Sequence, residues 1–357
     1  MSVALTSSEY GSLPDGRAVK QHILSNASGV RITMLDYGAA LASVEFPDRN
    51  GRVTDVTHGY DDLAGWLRNR SYFGANVGRY ANRIAAGKFS LNGRSYQLAT
   101  NNNPGGIPCH LHGGTAGFDK KLWSSRPTQK NGATGVEFSY LSPDGEEGYP
   151  GNLSVKINYW LTEKNELTIE YRATTDQTTI VNLTNHVYWN LTGDSSSQIT
   201  GHKVQLEADA LLPVNAGLIP TGSRLPVKGT PFDFTQSHEI GNHIGADDAL
   251  LKVGNGYDHC WILREQAGLR LAACVHEPKS GRKLELFTDQ PGLQLYTGNF
   301  LDGTAKGKAG ATYPFRTAFC LEPQKFPDAP NQPQFPSATL TPGETYSHTL
   351  RYRFSAE

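Results

Sequence analysis

One stretch limits the fold more than any other. Leu153, Val155, Ile157, Tyr159 and Leu161 alternate with Ser154, Lys156, Asn158 and Trp160, and after a turn at Lys164-Asn165, Leu167, Ile169, Tyr171 and Ala173 alternate with Thr168, Glu170 and Arg172. Successive side chains of a strand point to opposite faces, whereas the apolar stripe of a helix recurs about every 3.6 residues. A period of two kept up on both sides of one turn therefore predicts an antiparallel meander with one buried face. Residues 179–185 are expected to supply its third strand. Further strand-like runs at 202–206, 259–263, 269–276, 283–288, 293–297, 317–322 and 346–354 recur about every ten residues, the spacing of an all-β sandwich or barrel. The 38 glycines and 20 prolines supply the turns, and 16 Tyr, 14 Phe and 5 Trp suit pleated, half-buried surfaces. No domain boundary or internal repeat interrupts the pattern, so residues 1–357 are expected to form a single domain.

Ahead of the meander, residues 30–46 read as two strands broken at Gly38, 61–70 as a short helix begun at Asp61 or Asp62, and 89–98 as a hairpin turning at Asn92-Gly93. Residues 213–238 and 323–342 read as long ordered loops, because aromatic and apolar residues are mixed among their prolines and glycines.

Charge excludes some partners. With 33 Lys+Arg against 34 Asp+Glu there is no basic field to hold nucleic acid or anionic lipid, so neither partner is expected, and a neutral small molecule suits the surface better than a polyanion. No apolar run reaches the roughly 18 residues that a spanning helix needs. The first nine residues, Met1 to Glu9, lack a basic segment followed by an apolar core, which reads as a cytoplasmic protein, although an exported chain trimmed of its leader would look the same. Cys109, Cys260, Cys274 and Cys320 are widely spread without a CxxC pair, which argues against a zinc knuckle or a disulfide scaffold and for buried thiols.

The residues with chemistry to offer lie in a few distant segments. His186 follows a strand-like run, stands beside Tyr188 and Trp189, and titrates near neutrality, so it can give a proton to a substrate oxygen. A lone histidine is more often a hydrogen-bonded structural one. The amides of Asn182, Asn185 and Asn190, dense for a buried strand, shift the balance toward function. Glu322 closes the apolar run Ala318-Phe319-Cys320-Leu321 and precedes Pro323, which is expected to end the strand there. Desolvation beside apolar groups raises a carboxylate toward the range useful to a base, while in isolation a surface turn glutamate is the plainer reading.

His110 and His112 share one face of an extended segment. With His186 they could bind a metal, but no neighbouring carboxylate or cysteine pattern completes a shell, so hydrogen bonding to a polar ligand is preferred and no metal is expected. Gly113-Gly114 allow close backbone approach to a ligand, or simply a tight turn, and residues 113–121 lack the spacing of a phosphate loop. Arg79 and Arg83, with Asn82 between them, can fork onto vicinal hydroxyls or a carboxylate, or form surface ion pairs. Asp258 and Gln294 can bond to hydroxyls, and each also reads as an ordinary turn or strand residue. Together the segments supply a histidine acid, a carboxylate base and hydroxyl-binding groups.

Six motifs carry a resemblance: Gly78-Arg79-Tyr80-Ala81-Asn82-Arg83-Ile84, Leu111-His112-Gly113-Gly114, Thr184-Asn185-His186-Val187-Tyr188-Trp189-Asn190-Leu191, Gly256-Tyr257-Asp258-His259, Pro291-Gly292-Leu293-Gln294-Leu295-Tyr296-Thr297-Gly298-Asn299 and Leu321-Glu322-Pro323-Gln324. In this order they resemble those of aldose 1-epimerases (galactose mutarotases), over nearly the whole chain. The resemblance implies a large antiparallel β-sandwich, the supersandwich, with a free hexose bound in an open cleft and no cofactor. It implies His186 as general acid, Glu322 as general base, and Asn82, Arg83, His112, Asp258 and Gln294 as sugar contacts, with Tyr188 or Trp189 as an apolar wall. Val187, Trp189 and the loop 101–109 depart from the family pattern, which bears on hexose preference and cleft size. Rival readings are a non-catalytic sugar-binding protein, an isomerase of a non-sugar hemiacetal, and a mutarotase of phosphorylated hexoses. The last would need more basic residues at the cleft than the Arg79/Arg83 pair.

Overall fold

The computed structural model describes residues 3–357. The alternating segment forms the meander expected of it. Leu153–Leu161 pairs antiparallel with Glu166–Thr175, in register from Leu153 opposite Thr175 to Leu161 opposite Leu167. They belong to a nine-stranded sheet ordered Ser124–Lys130, Ala133–Ser142, Leu153–Leu161, Glu166–Thr175, Tyr346–Ala356, Arg282–Thr288, Arg270–His276, Lys203–Leu206 and His238–Glu239. The neighbour of Glu166–Thr175 is thus the C-terminal strand, not residues 179–185. That expectation is corrected: Thr179–Ile180 pairs with Thr339–Leu340, and Thr184–His186 pairs with Ala75–Val77. Residues 179–191 are buried without alternation, so they run through the interior instead of lying on a half-exposed sheet.

A six-stranded sheet, ordered Tyr188–Trp189, Phe319–Gln324, Gly292–Tyr296, Asp258–Leu263, Ala208–Leu212 and Leu225–Pro226, faces the nine-stranded one. Trp261, Leu293, Leu295, Phe319 and Leu321 from the first join Val155, Ile157, Ile169 and Tyr352 from the second in one apolar core. Each such side chain, fully buried, contributes about 1.5–3 kcal/mol. Trp189 spans the interface, its ring 5.0 Å from that of Tyr352. A five-stranded sheet of residues 4–55 adds Ile32, Met34, Val44 and Phe46 to the same core. The result is an all-β antiparallel sandwich.

Smaller expectations also hold. The helix Leu63–Leu67 is capped by Asp62, which accepts from Gly65 N at 2.7 Å. The hairpin Lys88–Leu91 and Arg94–Gln97 turns through Asn92 and Gly93, both with positive φ. All four cysteines are free thiols. No helix is long and apolar enough to cross a membrane among the described residues.

Candidate functional site

Strand periodicity builds the floor of the site. With Leu293, Leu295, Phe319 and Leu321 committed to the core, the intervening Gln294, Tyr296, Cys320 and Glu322 must face the other side of the six-stranded sheet. Register then gathers them. Gln294 lies opposite Glu322 on one neighbour and opposite Cys260 on the other, while Tyr296 lies opposite both Cys320 and Asp258. Pro323 does not end its strand, which runs from Phe319 to Gln324, so the expectation of a strand terminus at Glu322 is corrected. On the side away from Gly292–Tyr296, the neighbouring strand Tyr188–Trp189 reaches only Phe319 and Cys320, so the missing N–H of Pro323 leaves no ladder partner unmet there.

Above this floor opens a cavity of about 940 Å³, lined among others by Asn82, Arg83, His112, His186, Tyr188, Asp258 and Glu322. Gln294 reaches the site from beneath: its amide donates to Asp258 Oδ1 at 2.7 Å and accepts from Gln324 at 3.4 Å. Arg83 Nη2 lies 3.9 Å from Asp258 Oδ2, and its Nε donates to Asn102 at 3.3 Å. Loop 101–104, part of the segment that departs from the family pattern, forms one wall of the cavity.

The centre of the site is a close pair. His186 Nε2 and Glu322 Oε1 are 3.6 Å apart, with 5 % and 2 % of the respective residues exposed. Burial, with the neighbouring charge of Asp258 adding to it, holds the Glu322 carboxyl well above the usual range. Burial also pushes the His186 imidazole down to about 4. Both shifts disfavour the charged forms, so burial works against an ion pair at this contact. Glu322 Oε2 is buried and has no hydrogen-bond partner among the described residues, which leaves it free for a substrate group. His186 Nδ1 has the Cys320 thiol at 3.5 Å, and Tyr188 stacks on the imidazole at 5.1 Å and 19°.

His112 sits in a left-handed backbone conformation, as does Asn82, and the two clasp each other. His112 N donates to Asn82 O at 3.1 Å, and Asn82 N donates to His112 Nδ1 at 3.2 Å. Burial keeps His112 neutral, well below its usual range, so an accepting Nδ1 leaves the proton on Nε2. This tautomer decides what the site can hold. His112, His186 and Glu322 have ligand atoms within 4.8 Å of one another, a spacing open to a metal ion. An Nε2–H, however, is a donor for a hydroxyl oxygen and offers no lone pair to a cation.

Other candidates are placed elsewhere. His110 spends both ring nitrogens on Ala99 O and the Tyr149 hydroxyl, each at 2.7 Å, and is structural. Arg79 is buried away from the cavity, donating to Ser142 Oγ and to the carbonyls of Ser142, Pro143, Pro150 and Gly151 at 2.7–3.0 Å. Only Arg83 of the expected fork reaches the site. Trp189 points into the core, so of the two expected wall residues only Tyr188 lines the cavity. Asn182, Asn185 and Asn190 bond backbone carbonyls, which explains their density without a ligand. Gly113 has φ +86, and an added Cβ there would lie 1.7 Å from Gly78 O, so its close approach is to the chain itself. Tyr72 and Tyr296 line the cavity and were missed; nothing around Tyr72 separates it from core aromatics, whereas Tyr296 stands two residues from Gln294 on the same strand face and alternation could have found it. Arg68, Arg70 and Lys306, brought in by loops, lie along it too.

Comparison with known proteins agrees with this arrangement. The aldose 1-epimerase family profile matches residues 20–353. The chain is 48% identical over 353 residues to the galactose mutarotase of Bos taurus, and 47% identical over 352 residues to that of Homo sapiens, covering 99% of each chain in both cases. It is 38% identical over 347 residues to the aldose 1-epimerase of Escherichia coli (strain K12), covering 96% of this chain and 97% of the other. The crystal structure of galactose 1-epimerase from Lactobacillus acidophilus NCFM superposes with a TM-score of 0.85 at 30% identity, over 99% of both chains.

Proposed function

The chain belongs to the aldose 1-epimerase family, and we propose that it interconverts the α and β anomers of free hexoses such as glucose and galactose, with His186 as general acid and Glu322 as general base. The observation that carries the residue roles is the buried pair itself, 3.6 Å apart at the cavity floor with an unpaired Glu322 oxygen. The ring oxygen and the anomeric hydroxyl of a hexose share one carbon, so an acid and a base that serve both must lie side by side. Glu322 takes the proton of the anomeric hydroxyl while His186 protonates the ring oxygen. The C1–O5 bond breaks, its electron pair goes to O5, and a C1 aldehyde forms. Rotation about C1–C2 presents the other carbonyl face, and the two proton transfers run backwards to close the opposite anomer. Each transfer is worth about 10²–10⁴-fold in rate.

Asn82, Arg83, His112, Asp258 and Gln294 bind the remaining hydroxyls in this reading, and Tyr188 walls the acid. Asp258 accepts, whereas Arg83 and the His112 Nε2–H donate. Neither a cofactor nor a metal is needed, because both developing charges are handled by protons, and dialysis against EDTA is expected to leave activity intact. The reading takes residues 1–357 as one domain with a cytoplasmic location, supported by four unpaired cysteines, and a small sugar as its partner.

Polarimetry of freshly dissolved α-D-glucose and α-D-galactose tests the activity. Faster decay to the same final rotation is expected for both, and no acceleration of either would favour a sugar-binding protein or a non-sugar hemiacetal substrate. Arg68, Arg70 and Lys306 favour a second reading, in which hexoses bearing a phosphate are also turned over. A hexose 6-phosphate in the same assay decides it.

A further inference from the structure

We propose that Tyr72 is a positioning residue for the proton transfer made by His186, an inference that rests on His186 being the acid. Its ring lies nearly parallel to the His186 imidazole, at 5.9 Å between centroids and 25° between planes. It meets His112 in an edge-on contact at 4.7 Å and 61°. One aromatic ring thus touches both histidines of the site. Tyr188 stacks on the same imidazole, so two tyrosine rings fix the plane of a side chain whose Nδ1 has only a thiol beside it. An imidazolium against aromatic faces is also favoured by their quadrupoles, in a pocket that otherwise disfavours charge.

The backbone supplies an independent argument. Tyr72 has φ +60, a left-handed conformation that suits Gly or Asn and is an outlier for a bulky side chain. The surroundings impose it. Asn69 holds Phe73 through both its N–H and its carbonyl at 3.1 Å, Ala75 N donates to Tyr72 O at 3.0 Å, and Gly74 N donates to His186 O at 3.1 Å. Residues 69–75 are thereby tied to the backbone of His186 itself, with Ala75 in register opposite it. A residue chosen for stability alone would be Gly or Asn. A tyrosine here serves its ring, which lines the cavity against the two histidines.

The test compares Tyr72→Phe, Tyr72→Asn and Tyr72→Gly, with galactose as substrate. Phe keeps the ring and is expected to hold kcat within about twofold, while Asn and Gly, which accept the left-handed backbone, lower kcat of the folded enzyme about 10–100-fold with KM little changed. The proposal is overturned by full kcat in Asn or Gly, or by a Phe variant as impaired as Asn. It is equally overturned by a Tm that falls in Asn and Gly while kcat of the folded enzyme stays intact, because that is packing alone. His186→Asn, assayed in parallel, separates the two levels. If that variant stays active, the role of His186 fails, whereas an inactive His186→Asn with indifferent Tyr72 variants sinks only the positioning role.

Discussion

Glu322 and His186 work as a device that carries one proton between them. Burial raises the first and lowers the second, so the empty site favours a neutral carboxyl beside a neutral imidazole. Attack on the closed sugar requires the opposite, carboxylate and imidazolium. Ring opening returns both groups to neutrality. The buried setting therefore favours the ring-opened state over the charged one that precedes it. Glu322→Gln and His186→Asn should each cost about 10²–10⁴-fold in kcat, with the calorimetric affinity for galactose changed far less. Unaltered turnover in either would remove that residue from the mechanism. The acid limb of the rate profile follows from the direction of the His186 shift. The pair gains its second, inhibitory proton only as the pH falls toward about 4. Activity should therefore stay level through the ordinary histidine range near 6.5. A limb centred there would show His186 to be far less buried than its surroundings imply.

At the scale of elements, the site is written in a period of two, and that part was legible. Alternation put Gln294 and Glu322 on the face opposite Leu293 and Leu321 as soon as those strands were recognised. What alternation cannot give is pairing between strands far apart in sequence. That Gln294 lies opposite Glu322, or Tyr296 opposite Asp258, follows from long-range register, and only the resemblance to a family stood in for it. Local rules misled where burial was complete. Pro323 ends no strand because its neighbour is already spent, and residues 179–185 look like a meander strand although both their faces are inside. Arg79 shows the same limit. It shares a motif with Arg83, yet its guanidinium closes the 142–151 loop by satisfying four carbonyls and one hydroxyl. Arg79→Met leaves the Pro150 and Gly151 carbonyls unpaired, while Pro143 O keeps the Glu146 N–H at 3.1 Å, and should destabilise by about 2–6 kcal/mol, at roughly 1–3 kcal/mol for each buried group unpaired. Denaturant unfolding measures the loss, and KM for galactose in the folded fraction should not move. A raised KM with stability intact would restore Arg79 to the sugar.

Across the whole molecule, neutral histidines tie the catalytic segment to its surroundings. His348 Nδ1, in the nine-stranded sheet, bonds Leu183 O at 2.9 Å, and His202 Nε2 accepts from Leu191 N at 3.0 Å. The run that bears His186 is thus clamped at both ends. Burial pushes His22, His186, His202, His259 and His348 down to about 4 and His58 to about 3. Their folded values lie below the unfolded one near 6.5, so on acidification the unfolded chain binds these protons first. Stability is accordingly full above that pH and is lost as the pH falls toward 4. Asp36, raised to about 6, and the raised Asp119, Glu322 and Asp328 act in the opposite sense, because the folded chain binds their protons first. His110 and His112 are lowered as well, so eight histidines against four carboxyls leave a net loss of stability as the pH falls through this window. Denaturant unfolding at pH 7.5, 6 and 5 should show it well above the range in which ordinary carboxylates titrate. Because the clamps hold both ends of the His186 run, activity lost on acidification should track unfolding and return on refolding at neutral pH. A stability that stays level down to pH 5 would mean that these histidines gain their protons inside the folded protein, and that the clamps survive protonation.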